Sequence, residues 1–463
     1  MKPGPTHFQN TIDLLQKIGY TPADLTPLNI VHVAGTKGKG SVCAYVSSIL
    51  NYYRQSGSLA TEKLLKVGLF TSPHLVSVRE RIRIDGAPIP KDVFAKYFFE
   101  VWTKLGLTKE YDLDPSAPER PPYFRFLTLM SFHAFLSEGV NAAVYEVGVG
   151  GEYDSTNIIS HPLATGISKL GIDHVATLGH TIEEISWHKA GILKDGARAF
   201  TVPQIPAALG AVKKRAEEKG VDLQEVAQDR RLEGIKILPN AKFQRENASL
   251  AIALTEVVVR KLDPSVSLPS DKLPAEFVKG LEKVVWRGRC ETIEDKEVEG
   301  VNWFIDGAHT EDSLKVAGRW WHDVASVEED IKKVLIFNQQ GRDTASELLK
   351  TLHDTVTPGR EAPFTNVIFC TNTTYRKGWK KDMTNIMQDA AAIENLTVQK
   401  EFGDVWKNFE KDREQRAEVH LYGSIEEAIF KVRALGKGGK VECLVTGSLH
   451  LVGGVLSVLE GDV

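Results

Sequence analysis

From Asn29 to about Val285 the chain alternates short β-branched apolar runs with longer amphipathic stretches. IVHVAG, KVGLFTS, AAVYEVGVGG, LATGISKLG and ARAFTVP read as strands, and helix-compatible sequence follows each of them. That rhythm predicts an α/β fold with a doubly wound, mostly parallel sheet, helices on both faces and ligands at the carboxyl ends of the strands. After WRGRCE (Trp286 to Glu291) the rhythm restarts with NWFIDGAH, KVLIFNQQGRD, TNVIFCTN and VECLVTGS. A second, smaller, Rossmann-like α/β domain is therefore expected, joined near Arg287 and Gly288, with boundaries at 1–287 and 288–463. Tyr111 to Pro122, with four prolines and several acids, reads as a surface loop. The charge run Glu410 to Glu418 reads as the solvated face of a helix.

The first strand leads into NIVHVAGTKGKGS (Asn29 to Ser41), where the apolar run breaks into three glycines and two lysines and then continues as helix-compatible sequence to Asn51. Strand, glycine loop and helix N-terminus in that order bind nucleotide phosphates, because backbone N–H groups and the helix dipole both face the anion. The general P-loop spelling has Gly, four residues, then Gly-Lys-Ser/Thr. Here Val33 takes the first glycine's place and Gly40 follows Lys39. The order of elements and the placing of Lys39 toward a β/γ-phosphate still make the first domain P-loop ATPase-like, for ATP or GTP.

Composition narrows the field. A chain of 463 residues exceeds one ordinary core, and 42% hydrophobic with 25% charged residues is usual for a soluble globular protein. A net charge of -4 gives no electrostatic reason to expect nucleic acid or an anionic membrane. Cys43, Cys290, Cys370 and Cys443 lack CxxC spacing, which suits buried thiols in a reducing compartment better than disulfides or zinc. No apolar run approaches the roughly 18 to 20 residues of a membrane span, and Met1 to Gln9 has no signal-peptide core. The cytosol is the expected compartment, with the mitochondrion second, and a monomer is expected.

Polar groups gather at the predicted strand ends. TSPHL (Thr71 to Leu75) offers a hydroxyl pair in which Ser72 could hold Mg²⁺ or simply make a Ser-Pro turn. Arg79, Arg81 and Arg83 alternate, so on a strand they share one face, open to an anionic substrate or to solvent. AAVYEVGVGG ends in Glu146 followed by Gly148, Gly150 and Gly151. A carboxylate beside bare backbone suits Mg²⁺, which takes one or two carboxylates and keeps waters and phosphate oxygens. Asp154, Thr156 and Asn157 are turn formers. GIDH reads as an apolar strand ending in Asp173 and His174, the latter a second metal ligand or a satisfied terminal histidine. TIEEISWHKAGILK reads as a helix in which pattern alone makes Lys189 a surface lysine. Gln244 and Asn247, three apart, share a helix face and could read an adenine edge or cap the helix. DGAHT (Asp306 to Thr310) and TGSLH (Thr446 to His450) put polar groups at strand ends of the second domain, and Arg289 at the junction could reach phosphate.

In this order GTKGKGS, TSPHLVSVRERIRIDG, YEVGVGGEYDSTN, GIDH, HKAGILK, FQRENASLA, WRGRCE, DGAHT and VTGSLHLVGG resemble the folylpolyglutamate synthase and dihydrofolate synthase family, itself related to the Mur ligases. The resemblance runs from Gly35 to Gly454. GTKGKGS, VRERIRIDG, YFRFLT and LEGIKILPNAKFQ look like the eukaryotic, fungal type. The resemblance implies a ligase in which ATP phosphorylates the terminal γ-carboxylate of a reduced folate or its glutamate tail. The amine of L-glutamate then attacks the acyl phosphate while the two domains close and exclude water.

By motif, the loop Gly35, Thr36, Lys37, Gly38, Lys39, Gly40 and Ser41 would hold the phosphates. Ser41, Ser72, Glu146 and His174 would serve Mg²⁺, and a monovalent cation such as K⁺ is a further candidate. Lys189 occupies the family's carbamylated-lysine position, where the modified side chain would hold a second Mg²⁺. Asn247 and Arg289 would contact the nucleotide, and Asp306, His309 and Ser448 would lie on the glutamate and catalytic side, with Asp306 also toward the nucleotide. Eukaryotic members usually carry a further segment before the region matching THFQNTIDLLQKIGY, so a chain shortened at that end is expected. Thr310 stands where bacterial relatives often have Asn. The rivals are dihydrofolate synthase, with dihydropteroate as substrate, and a P-loop kinase or GTPase-like switch, which has no use for the second domain's motifs.

Overall fold

The computed structural model describes residues 4–58, 64–107, 120–328, 330–339, 345–358, 363–376 and 394–461. Nearly all of the loop expected at Tyr111 to Pro122 lies outside them. The chain forms two compact units, Met1–His74 with Val78–Val285, and Leu75–Ser77 with Trp286–Val463.

The first unit is built on β1 (Val31–Ala34), β2 (Val67–Phe70), β3 (Ile82–Ile84), β4 (Ala87–Pro88), β5 (Ala142–Glu146), β6 (Ala164–Ile167), β7 (Arg198–Thr201) and β8 (Leu223–Glu225). They lie in the order β4-β3-β2-β5-β1-β6-β7-β8. Every pair from β2 to β8 is parallel, and β3 and β4 add an antiparallel edge. β1, β2, β5 and β6 are buried along their whole length, as a sheet covered on both faces requires. Helix Lys39–Ser56 packs on helices Lys242–Leu262 and Ala275–Glu282. Helices Pro5–Lys17, Lys91–Lys104 and Tyr123–Ser137 share a second core with Phe70 and Tyr145.

The second unit carries β9 (Glu291–Glu294), β10 (Val301–Ile305), β11 (Lys332–Phe337), β12 (Asn366–Cys370), β13 (Glu418–Tyr422) and β14 (Val441–Thr446). The order is β13-β12-β11-β14-β10-β9, with only β9 antiparallel among the described strands. Side chains alternate along each strand, and here the alternation sorts them into two cores. Val301, Trp303, Ile305, Val334, Ile336, Cys443 and Val445 enter one core, whereas Phe304, Leu335, Phe337 and Leu444 enter the other. Helices therefore cover both faces, and mostly apolar runs result, such as Val334–Phe337.

Three local expectations are corrected. Val78–Arg81 is a short 3₁₀ turn and only Ile82–Ile84 is strand, so the three arginines do not share a strand face. Arg79 donates to the Ile89 carbonyl, Arg81 to His74 and Arg83 to the Glu80 carbonyl. Residues 410–417 are turn and coil rather than helix. Buried Glu410 accepts the Ala417 N–H and so closes that turn. Asp173 and His174 are not a strand end: β6 stops at Ile167, and His174, at φ 50°, precedes the short helix Val175–Leu178.

Candidate active site

β1 delivers the chain to the phosphate loop, and the loop after β6 holds it there. Thr36 and Lys37 donate their N–H groups to the Lys169 carbonyl at 2.9 and 3.0 Å. Thr36 Oγ1 donates to the Gly171 carbonyl at 3.0 Å, and Ser168 Oγ donates to the Lys37 carbonyl at 2.9 Å. Helix Lys39–Ser56 starts at Gly38 in the left-handed region, φ 90°, with no side-chain cap. A Cβ at Gly38 would lie 2.3 Å from Asn247 Oδ1, so both the dihedral and the close approach demand glycine. Gln244 accepts from Asn247 Nδ2 at 2.8 Å, which bears out their shared helix face. Gly40 and Ser41 form the first, partly exposed turn of the helix.

Lys39 and Lys189 meet at this loop. Both ammoniums donate to the Gly35 carbonyl, at 3.2 Å from Lys39 Nζ and 2.8 Å from Lys189 Nζ. Lys189 is 2% exposed, so the pattern-based placing on the surface is wrong: helix periodicity reports a helix's faces and not what the next loop lays over them. Burial first, and Lys39 second, lower the Lys189 pKa to about 7, against the pull of Asp173 and Asp154. Lys39 beside an open helix N-terminus suits an anion.

Glu146 ends β5 and is buried. One of its oxygens accepts the Ser72 N–H at 3.0 Å, which brings those two expected ligands together. Arg81, lowered by burial and raised in part by Tyr123 and Glu146, stands near the same carboxylate. A buried carboxylate at a strand end fits a hard divalent cation. His174 is half exposed, its Nε2 lying 3.6 Å from Asp173. Among the described residues no group of three or more His, Cys, Asp or Glu side chains is arranged for a metal.

In the second unit β10 and β14 run parallel, and their ends carry the other expected residues. Asp306 is buried and accepts from the Cys290 N–H at 2.8 Å, the Ala308 N–H at 2.9 Å and the Cys290 thiol at 3.4 Å. Burial raises its pKa, and Arg289 opposes that. His309 Nδ1 lies 3.0 Å from the Gly307 carbonyl. Ser448 caps helix Leu449–Glu460 by accepting the Leu451 N–H, and Thr310 caps helix Glu311–Val324. Gly447 N–H donates to the Ala308 carbonyl, which ties DGAHT to TGSLH.

Sequence reading missed the supports and one cavity. Ser168, Lys169 and Gly171 lie in an ordinary-looking loop. A cavity of 710 Å³ within the first unit is lined by Pro5, Phe8, Tyr153, Asn157 and Lys194, among others. Burial, then Lys219, lower the Lys194 pKa to about 8. These residues come from three separate segments, so no local motif announces them.

A family model described as the C-terminal domain of dihydrofolate synthetase matches residues 289–458. Folylpolyglutamate synthase of Neurospora crassa is 52% identical over 460 residues, 96% of this chain and 84% of that protein. Folylpolyglutamate synthase of Saccharomyces cerevisiae is 45% identical over 468 residues, 98% of this chain and 82% of that one. Folylpolyglutamate synthase of Mycobacterium tuberculosis complexed with ADP has the same fold, with TM-score 0.69, 24% identity and 100% and 96% of the two chains covered. That of Thermotoga maritima matches with TM-score 0.69, 24% identity and 100% and 94% covered. At 52% and 45% identity to the two fungal synthases over nearly its whole length, the chain belongs to the folylpolyglutamate synthase family.

Proposed function

We infer that this chain is an ATP-dependent ligase that adds L-glutamate, through a γ-amide, to reduced folates and their glutamate tails. The observation that carries the reading is Lys39 at an uncapped helix N-terminus, with Lys189 on the same Gly35 carbonyl, in a chain 52% identical to a folylpolyglutamate synthase. The γ-carboxylate takes the terminal phosphoryl group of ATP, and the glutamate amine displaces phosphate from the resulting acyl phosphate. Lys39 and the N–H groups of Gly38, Gly40 and Ser41 bind and orient the transferred group. Asn247, beside Gly38, contacts the nucleotide. Asp306, with His309 and Ser448, orients the incoming glutamate, since a buried carboxylate attracts an ammonium and can accept its proton.

Glu146 and Ser72, with Ser41, His174 and carbamylated Lys189, would hold Mg²⁺, which when bound offsets phosphate charge. Lys189 is suited to carbamylation because a pKa of about 7 leaves much of the amine neutral. The 710 Å³ cavity, with the aromatic rings of Phe8 and Tyr153 and the ammonium of Lys194, has the size and character to receive the folate. No helix among the described residues is long and apolar enough to cross a membrane. The four buried free cysteines favour the cytosol, with the mitochondrion second, and the enzyme is read as a monomer.

The test is mass spectrometry of products after incubation with ATP, Mg²⁺, L-glutamate and either tetrahydrofolate or dihydropteroate. Successive glutamyl additions to tetrahydrofolate support the reading. A single addition confined to dihydropteroate would make it a dihydrofolate synthase.

A further inference from the structure

His32 lies on the central strand β1, wholly buried between Tyr145 of β5 and Thr165 of β6. A fully buried imidazole in an otherwise apolar strand needs a reason, because burying a polar ring costs free energy unless its nitrogens are bonded. One nitrogen has a partner: His32 Nε2 lies 2.8 Å from Thr156 Oγ1. Thr156 Oγ1 donates its own proton to Asp154 Oδ1 at 2.6 Å, so the hydroxyl must accept from His32 Nε2–H. That fixes the tautomer and leaves Nδ1 as a buried acceptor with no partner among the described residues. Burial, with Lys194 adding to it, holds the imidazole pKa near 3, so the ring is neutral.

The chain of bonds continues. Asp154 Oδ1 also accepts the Thr156 N–H at 3.0 Å, and Oδ2 accepts the Val149 N–H at 3.0 Å. Asp154 thereby fixes the glycine loop that follows Glu146. That loop is pressed on the end of helix Ile182–Lys189: Glu152 N–H donates to the His188 carbonyl at 2.7 Å, and a Cβ at Gly151 would lie 2.5 Å from the His188 oxygen and 2.9 Å from that of Lys189. Lys189 then returns its ammonium to the Gly35 carbonyl, just beyond β1. Hydrogen bonds and packing thus form a closed circuit from β1 through Thr156, Asp154, the glycine loop and Lys189 back to the phosphate loop.

We propose that His32 is a positioning residue: through Thr156 and Asp154 it sets the glycine loop against the helix end and so places Lys189 on the phosphate loop. This rests on the reading that Lys189 works at the ATP site. The orphaned Nδ1 is the cost of presenting Nε2–H to Thr156.

The test compares full-length Thr156→Val, which keeps shape and loses the hydroxyl, with Thr156→Ser, which keeps it. Folding is checked by circular dichroism. Two readouts follow: kcat and KM for ATP, and acylation of the Lys189 amine by a small anhydride without bicarbonate, quantified by peptide mass spectrometry. Thr156→Val should lose about 10- to 100-fold in kcat, with KM for ATP changed less than about two-fold, and Lys189 should label faster. Thr156→Ser should restore both. Folded Thr156→Val with wild-type kcat and wild-type labelling would overturn the proposal. Should Thr156→Val fail to fold, His32→Leu and His32→Gln are read in the same way, since the glutamine amide can still donate to Thr156. Lys189→Ala with wild-type kcat would break the underlying reading instead, while the labelling rates still decide whether His32 positions that amine.

Discussion

At the carboxyl ends of the first sheet the side-chain nitrogens of two lysines share one backbone carbonyl, whereas at the ends of β10 and β14 a buried carboxylate is held by three donors. Both sheets are wound alike, parallel in the middle with an antiparallel edge. The winding therefore supplies a place for chemistry, and the loops decide its sign. A cationic end with an open helix N-terminus accepts phosphate. A carboxylate end, beside helices whose side-chain caps each occupy one N–H group, suits an ammonium instead.

The comparison breaks most visibly at Lys39. Lys39→Ala should lower kcat by about 10² to 10³, the usual cost of one electrostatic contact to a transferring group, with an unchanged thermal midpoint. Wild-type turnover by the folded variant would remove Lys39 from the phosphate end. Lys189→Ala should also lose most activity, and acetate should restore part of it if a carbamate's carboxylate is what is missing. No rescue, together with unmodified Lys189 in the intact mass of active enzyme, would count against carbamylation.

Asp306→Asn keeps the shape and removes the charge. It should reduce glutamate-dependent turnover about 10- to 100-fold and raise KM for glutamate more than KM for ATP. An equal rise in both would erase the contrast between the two sheet ends. Glu146→Gln should be milder, weakening Mg²⁺ dependence more than nucleotide affinity and recovering in part at high Mg²⁺. A Mg²⁺ titration superimposable on wild type would make Glu146 structural.

The smallest effect is on stability. His32 stays neutral in the fold, with its pKa lowered from 6.5 to about 3, while the unfolded chain takes up a proton below about 6.5. The stabilisation is complete above that pH and is lost as pH falls toward 3. Urea midpoints measured between pH 7 and 5 should fall, and fall less steeply in His32→Gln; identical slopes would exclude His32 as a source.

What could be read in the chain follows from where burial is symmetric. The inner strands are mostly apolar because both faces are covered, and each was legible as a run. β3, β4, β8, β9 and β13 carry exposed or half-buried positions, so they lack that signature. The phosphate loop was legible because its glycines meet backbone demands that few other residues satisfy. Lys189 was not, because its side chain is buried against the Gly35 carbonyl of a loop far away in sequence, a tertiary fact that helix periodicity does not encode. His32 was hidden within an apolar run, and only the 2.8 Å approach to Thr156 gives it a role.

The most direct test of the account follows the oxygen atoms. Tetrahydrofolate labelled with ¹⁸O in its γ-carboxylate is turned over with ATP, Mg²⁺ and L-glutamate, and the released phosphate is examined by mass spectrometry. If the first unit's phosphate end activates that carboxylate as an acyl phosphate, the first glutamyl addition to each folate transfers one ¹⁸O to phosphate. Phosphate without label, alongside normal glutamyl product, would contradict it.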